Sequence, residues 1–369
     1  MKRIPVAEPC LTGNEKKYVN DCLDTSWISS IGSYINRFEE SFASFCGVRH
    51  ALACCNGTVA LHLPLLAYDV GPGDEIIVPT LTYIATANTV RYCGATPVFA
   101  DSDPDTWNID PKAVEKAITP RTKGIIVVHL YGNPVDMDPI MELAKKHDLF
   151  VIEDAAEAHG ATYKGRMTGS IGHVNSFSFF GNKIITTGEG GIVTTNDDEL
   201  AAKMRLLKGQ GMDPGRRYWF PMIGYNYRMT NVEAAIGLAQ LEKIDFHLQQ
   251  RQKIRTWYLK YLENIQEHLD YQKDQPDSQN VSWMFSVLLS KAIQHSRDKI
   301  MELLSGQGID TRPVFYPLHI MPPYREEDGK YPVAEDIASR GINLPTFSGL
   351  SEDDVKYICE ILKEIISRG

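Results

Sequence analysis

The sequence predicts an α/β protein built on a largely parallel sheet with helices on both faces. Two observations carry that expectation. Apolar runs of strand length at 75–78, 97–100, 124–129 and 150–153 alternate with stretches of helical length at 82–93, 111–118 and 139–147. That rhythm belongs to repeated strand–helix–strand units, whose parallel strands are buried on both faces. The chain has 369 residues, 43% of them hydrophobic and 23% charged, enough for a sizeable core and for two domains rather than one.

Taken in order, residues 13–46 read as helix, broken at 25–33, with Phe38, Phe42 and Phe45 on one face. A short apolar strand in HALACC then meets a polar turn, Asn56-Gly57-Thr58, and an apolar helix. Free N–H groups and the positive end of the helix dipole make such a turn a phosphate site. Asn and Thr also serve as plain N-caps, and the local residues do not choose between the two. Asp154 closes the strand FVIED, at the carboxyl end where ligands of parallel sheets gather. It either caps the next segment or faces such a ligand.

Strands are expected at 174–180 and 191–195, flanking Lys183 and the glycine-rich turn Gly188-Glu189-Gly190-Gly191. A lysine between a buried strand and a glycine turn is badly placed for a solvated charge, and burial favours the neutral, nucleophilic amine. A helix at 199–208 leads into a loop rich in Gly, Arg and aromatics, and 231–264 reads as one long helix. The domain change is placed there, giving a large domain at 1–245 and a smaller C-terminal α/β domain at 246–369. In the latter, 270–280 reads as a polar loop, SWMFSVLL and IDTRPVF as strands, and 297–307 and 351–366 as helices.

The net charge of −9 and the lack of a basic stripe exclude a nucleic-acid partner. Seven cysteines without a CxxC pair fit reduced thiols rather than a disulfide framework or a metal site. MKRIPVAEP has no apolar run behind its basic start, and no stretch of about 18 apolar residues is present to span a bilayer. A cytoplasmic protein with no membrane partner is expected.

Lys183, Asp154 and the 56–58 turn together match the needs of pyridoxal phosphate. Its aldehyde needs an amine, its ring nitrogen a carboxylate, and its phosphate N–H donors and hydroxyls. Tyr83, following a strand end in PTLTYIATAN, is placed to cover the ring.

Motifs along nearly the whole chain carry a resemblance. They include NGTVALHL, PTLTYIATANTV, HLYGNPVDMD, EDAAEAHGATYKG, SFFGNKIITTGEGG, GYNYRMTNVEAAIGLAQL and RPVFYPLH. In this order they resemble the DegT/DnrJ/EryC1/StrS sugar-nucleotide aminotransferases, enzymes of the aspartate aminotransferase fold (type I). The resemblance implies a large mixed, mostly parallel sheet domain and a smaller α/β domain. It implies that Lys183 links the cofactor's aldehyde, Asp154 holds its ring nitrogen and Tyr83 stacks on the ring. Gly57, Thr58 and Ser178 then bind the phosphate, and Glu157, at a position often glutamine in the family, lies beside the phenolic oxygen. Asn226 matches a phosphate contact supplied by a second subunit, which implies a homodimer with shared active sites.

Members with histidine in place of the lysine perform dehydration, so Lys183 favours transamination, with pyridoxamine phosphate as the intermediate cofactor form. FFGNKIITTGEGG, in place of a His-Pro-x-Lys form, resembles members that move the amino group of L-glutamate to C4 of GDP-4-keto-6-deoxy-D-mannose. A UDP- or dTDP-linked keto sugar, or a dehydratase activity, is the alternative.

For the diphosphate, Arg312 is the first choice, with His319 near it and Arg228, Arg216 and Arg217 as further cations. Each arginine is equally read as a surface or interface ion pair. Phe315 and Tyr316 either wall the sugar pocket or belong to the core. His159 either touches the site or packs at a strand end.

Overall fold

The apolar runs collect into one sheet because each is flanked by helices that cover both of its faces. In a computed structural model describing residues 3–368, the chain opens with α1 (Glu15–Asp24) and α2 (Ser33–Cys46). It continues through β1 (His50–Cys54), α3 (Gly57–Ala67), β2 (Glu75–Pro79), α4 (Ala85–Tyr92), β3 (Thr96–Ala100) and α5 (Pro111–Ala117). Next come β4 (Thr122–Val128), α6 (Met137–His147), β5 (Phe150–Asp154) and the two-residue strands β6 (Thr162–Tyr163) and β7 (Arg166–Met167). Then follow β8 (Val174–Ser178), β9 (Gly191–Thr195), α7 (Asp198–Lys208) and α8 (Asn231–Leu241).

The large sheet has the order β1-β9-β8-β5-β4-β2-β3. β9 pairs antiparallel with both of its neighbours, while β8, β5, β4, β2 and β3 form an unbroken parallel run. The sheet is therefore mixed and mostly parallel, as expected. The succession of strands reverses at β2, which has β3 on one side and β4 on the other, so a crevice opens at the carboxyl ends of the central strands. Phe38 and Phe42 of α2 are fully buried against Phe177 and Phe179, with Phe42 meeting both rings edge-on.

A second apolar cluster lies around a smaller antiparallel sheet of order β10-β12-β14-β13. Beyond α8 the chain runs through α9 (Ile244–Leu262), β10 (Leu269–Tyr271), β11 (Ser278–Gln279), β12 (Phe285–Leu289) and α10 (Arg297–Gly306). It ends with β13 (Arg312–Pro313), α11 (Pro332–Arg340), β14 (Gly341–Leu344) and α12 (Glu352–Arg368). Ile4 joins this cluster from the other end of the chain, bridging in parallel to Ile309.

Two expectations need correction. The single helix expected at 231–264 is two: Lys243, at φ −110° and ψ 11°, leaves the helical region, and its N–H reaches back three residues to Gln240. The break lets α8 bury Ala234 and Ala235 in the first cluster while α9 buries Ile254 and Tyr258 in the second. The loop expected at 270–280 carries the end of β10 and all of β11, which pairs with β6 and so ties the two parts together.

Side chains alternate along a strand, so Glu153 and Asp154 leave β5 on opposite faces. Glu153 is fully buried and accepts from His129 Nε2 at 2.8 Å and from the N–H groups of Gly169, Ile171 and Gly172 at 2.9, 2.7 and 2.6 Å. Burial alone would raise its carboxyl, but His129 and the N–H donors outweigh that and hold it below the ordinary value. Replacing it by glutamine sets an amide NH₂ against N–H donors, and Glu153→Gln is expected to lower the free energy of unfolding by about 2–4 kcal/mol at pH 7. A depressed carboxyl stabilises above its unfolded value near 4.5 and loses that contribution as pH falls through its folded one. The gap between wild type and variant in urea unfolding should therefore narrow in acid.

Candidate active site

The crevice at the carboxyl ends of β5 and β8 opens into a cavity of about 370 Å³. Asp154 reaches it from β5, where Oδ2 accepts from the Thr86 hydroxyl at 3.1 Å and Oδ1 from the Ala156 N–H at 3.2 Å. Ser178 ends β8, and its Oγ accepts from the Phe180 N–H at 3.3 Å as the chain turns. Lys183 follows that turn, its N–H bonded to the Phe180 carbonyl at 2.9 Å. Gly188 then takes φ 87°, and the chain returns so that the Phe179 N–H meets the Gly190 carbonyl. The glycine turn thus returns the chain to its own strand with Lys183 inside the bend.

Lys183 is 12% exposed, and its Nζ lies 3.7 Å from Glu157 Oε1 and 4.0 Å from the centroid of the Trp283 ring. The sequence placed this amine away from solvent, and the structure sets it beside a carboxylate and an indole face.

Across the cavity, Asn56 caps α3 by accepting the Val59 N–H at 3.0 Å. This leaves the first-turn N–H groups of Gly57 and Thr58 without helical acceptors. A Cβ at Gly57 would stand 2.6 Å from Ser178 Cβ, so only glycine lets this helix end close on β8. Tyr83 sits at the mouth, 60% exposed, its ring tilted 6.0 Å from Phe315.

Burial raises the Asp154 carboxyl above the ordinary range, and the Ala156 N–H, Lys183 and the Thr86 hydroxyl draw it back only in part. Burial also pushes Glu157 up to about 7, against the pull of Lys183 and of the Tyr131 N–H that Oε2 accepts at 2.7 Å. Two carboxyl groups held away from water beside one amine form a site prepared for a ligand that brings positive charge or protons.

Gly57, Thr58, Tyr83, Asp154, Glu157, Ser178, Lys183 and Phe315 all line the cavity. His159 does not; it is buried beside Phe177 and Phe179, and burial pushes it down to about 3, so it is neutral. One substrate-side expectation, His319, needs correction, and the arginines lie outside this chain's cavity. His319 is fully buried, with Nδ1 2.7 Å from the Thr80 hydroxyl and Nε2 3.0 Å from Glu335, so it braces the fold and has no surface for a ligand. Arg312 is 56% exposed and bound to Asp310 at 2.6 Å, outside the cavity. Arg228 donates to Asn226 Oδ1 at 3.0 Å on a loop outside this chain's cavity. Arg216 and Arg217 stack on their neighbours Trp219 and Tyr218, and the Tyr316 hydroxyl accepts from Arg297 Nη2 at 3.2 Å away from the lining.

Sequence reasoning missed Trp283, whose Nε1–H donates to the Asn182 carbonyl at 2.8 Å while its ring carries the Lys183 amine. It also missed Thr86 and Glu189, while the N-cap reading of Asn56 is the one its side chain fulfils.

The model of the DegT/DnrJ/EryC1/StrS aminotransferase family matches residues 9–363. Over 369 residues the chain is 56% identical to the GDP-perosamine synthase of Caulobacter vibrioides, covering 99% of each. It is 52% identical to that of Escherichia coli O157:H7 over the full length of both. Among solved structures, Spr1654 from Streptococcus pneumoniae in its PLP-form superposes with a TM-score of 0.94 at 29% identity, covering 100% of this chain and 99% of that one. The chain belongs to the DegT/DnrJ/EryC1/StrS aminotransferase family and is a pyridoxal-phosphate-dependent aminotransferase.

The residues present fit that cofactor. The glycine approach at Gly57 sets two free N–H groups beside a serine hydroxyl, as a phosphate requires. Among the described residues the buried Asp154 carboxyl has no cationic partner of its own at bonding distance, as a ring nitrogen requires.

Glu157 gives a test with a definite sign. A carboxyl raised on folding weakens the cofactor-free protein as pH climbs from its unfolded value near 4.5 to about 7. Glu157→Gln, which can still accept the Tyr131 N–H, is expected to be more stable than wild type at pH 8 by about 1–3 kcal/mol and no more stable at pH 4. Urea unfolding at the two pH values reads the difference, and equal curves at both would refute it.

Proposed function

We propose that this chain moves the amino group of L-glutamate to C4 of GDP-4-keto-6-deoxy-D-mannose, giving GDP-perosamine and 2-oxoglutarate. The observation that carries the reading is one cavity holding an amine, Lys183, within reach of two buried carboxyl groups and opposite a free helix terminus. The choice of sugar follows relatives of this name at 44–56% identity over nearly the whole chain.

In this reading the Gly57 and Thr58 N–H groups and the Ser178 hydroxyl hold the cofactor's phosphate. Asp154 holds its ring nitrogen, Tyr83 covers its ring and Glu157 lies beside its phenolic oxygen. Bound pyridoxal phosphate supplies an aldehyde that takes up the amino group and a protonated ring that disperses the electrons left behind. Lys183 Nζ receives the proton leaving Cα of glutamate and, in the second half-reaction, delivers a proton to C4 of the sugar. Glu157 and Trp283 hold that amine in place between the two transfers. The two substrates use the site in turn, so ping-pong kinetics are expected.

The same reading makes the protein a homodimer in the cytoplasm, where nucleotide sugars are made. Asn226 is exposed on a loop that also exposes Tyr218, Trp219, Phe220 and Ile223, as a segment lent to a second subunit's cavity would. It also takes 1–245 as the cofactor-binding domain and 246–369 as the small one, with the second cluster, drawn mostly from beyond residue 250, in support.

Lys183→Ala is expected to lose at least about 10²-fold in kcat while still binding the cofactor. The purified protein should show a visible absorbance band that shifts on adding glutamate. Product analysis with GDP-, UDP- and dTDP-linked keto sugars tests the substrate. Preference for a UDP- or dTDP-linked sugar would overturn it, and appreciable turnover by Lys183→Ala would overturn the role of the lysine.

A further inference from the structure

We propose that Tyr131 is a positioning residue for the keto-sugar side of the cavity, acting through Phe315; this rests on the transamination reading above. Tyr131 is fully buried just beyond β4 and does not line the cavity, yet it touches three residues that do. Its N–H donates to Glu157 Oε2 at 2.7 Å, and its phenolic oxygen accepts the Phe315 N–H at 3.0 Å. Its ring is stacked between Phe315 and Trp283, with centroids 5.3 and 6.2 Å away and planes inclined by 26° and 25°.

This arrangement is bought with backbone conformation. Tyr131 has φ 57° and ψ 17°, the left-handed region that bulky side chains rarely occupy and that clusters at functional sites. Gly132 follows at φ 95°, where an added Cβ would stand 2.8 Å from Val281 Cγ2 and 3.1 Å from the Glu157 carbonyl oxygen. The turn is thus pressed between the Glu157 segment and the strand approach that carries Trp283. An extended residue here would aim the N–H away from Glu157 or the ring away from Phe315. Phe315, 6.0 Å from Tyr83 at the mouth, offers an apolar face suited to the unsubstituted carbon of a deoxy sugar.

Tyr131→Phe removes only the phenolic oxygen and leaves the Phe315 N–H without its acceptor. It is expected to bind pyridoxal phosphate within about twofold of wild type in titrations of the cofactor-free protein. The KM for the keto sugar should rise about five- to tenfold, with the KM for glutamate rising at least fivefold less. Phe315→Leu should raise the same KM, and adding Tyr131→Phe to it should bring no further increase.

A lower melting temperature with both KM values unchanged, equal changes in both, or additive effects in the double variant would overturn the proposal. Should Tyr131→Phe fail to fold, Phe315→Leu alone decides it, since an unchanged sugar KM in that variant is equally fatal. Failure of the underlying reading looks different: wild-type protein would then form no 2-oxoglutarate with any keto sugar, and both would fall together.

Discussion

Everything at the site is referred to the last two residues of β5, where alternation along the strand sends one carboxylate to each face of the sheet. Glu153 enters a pocket of N–H donors and is ionised there, locking the 169–172 turn and His129 around the strand end. Asp154 enters the cavity with only a hydroxyl and one N–H, and is left short of positive charge. Two adjacent acids thus have opposite tasks, set by the donors each face offers rather than by their own chemistry. A slip of one residue in the pairing of β5 with β4 and β8 would exchange them.

The cavity is assembled across a seam. Lys183, Asp154 and the α3 terminus come from the large sheet, while Trp283 and Phe315 come from segments that feed the small one. Arg251 of α9 fastens the seam from behind. It is buried, and its guanidinium donates to the Trp283 carbonyl at 2.8 Å and to the Thr346 carbonyl, with no carboxylate partner among the described residues. Burial pushes it down to about 10, so it remains a cation at neutral pH. Only its Nη1 is bonded, Nε finding no acceptor among the described residues, so this buried charge is a costly brace between the two segments.

The parts of the molecule legible in the sequence are those encoded locally. The parallel strands are apolar runs, the α3 turn announces itself as Asn-Gly-Thr, and Asp154 and Lys183 each sit at a strand end that the pattern reveals. The break between α8 and α9 was invisible, because Glu242-Lys243 contains neither glycine nor proline and the turn is imposed by two separate cores. The two-residue strands β6, β7 and β11 carry no periodicity to detect. Trp283 lies a hundred residues from Lys183, and nothing in the spacing predicts that its ring receives the amine. His319 misled for the opposite reason: a histidine in a polar motif suggests a ligand, but this one spends both nitrogens on Thr80 and Glu335. The family resemblance supplied the order of the motifs, and the geometry separated residues inside the cavity from residues on its outer loops.

The bridge between Ile4 and Ile309 bears on how the molecule is made. Ile4 leaves the ribosome about 300 residues before its partner, which at about 5–20 residues per second is a wait of roughly 15–60 seconds. During that time the large sheet has every strand it needs, but the small cluster lacks one wall and the seam behind Trp283 cannot close. At that point the chain holds every residue of the cofactor cradle but not its far side, and Ile4 lacks the partner it meets in the second cluster. Synthesis itself imposes an order in which the helix terminus and Lys183 are in place before the wall that encloses the sugar.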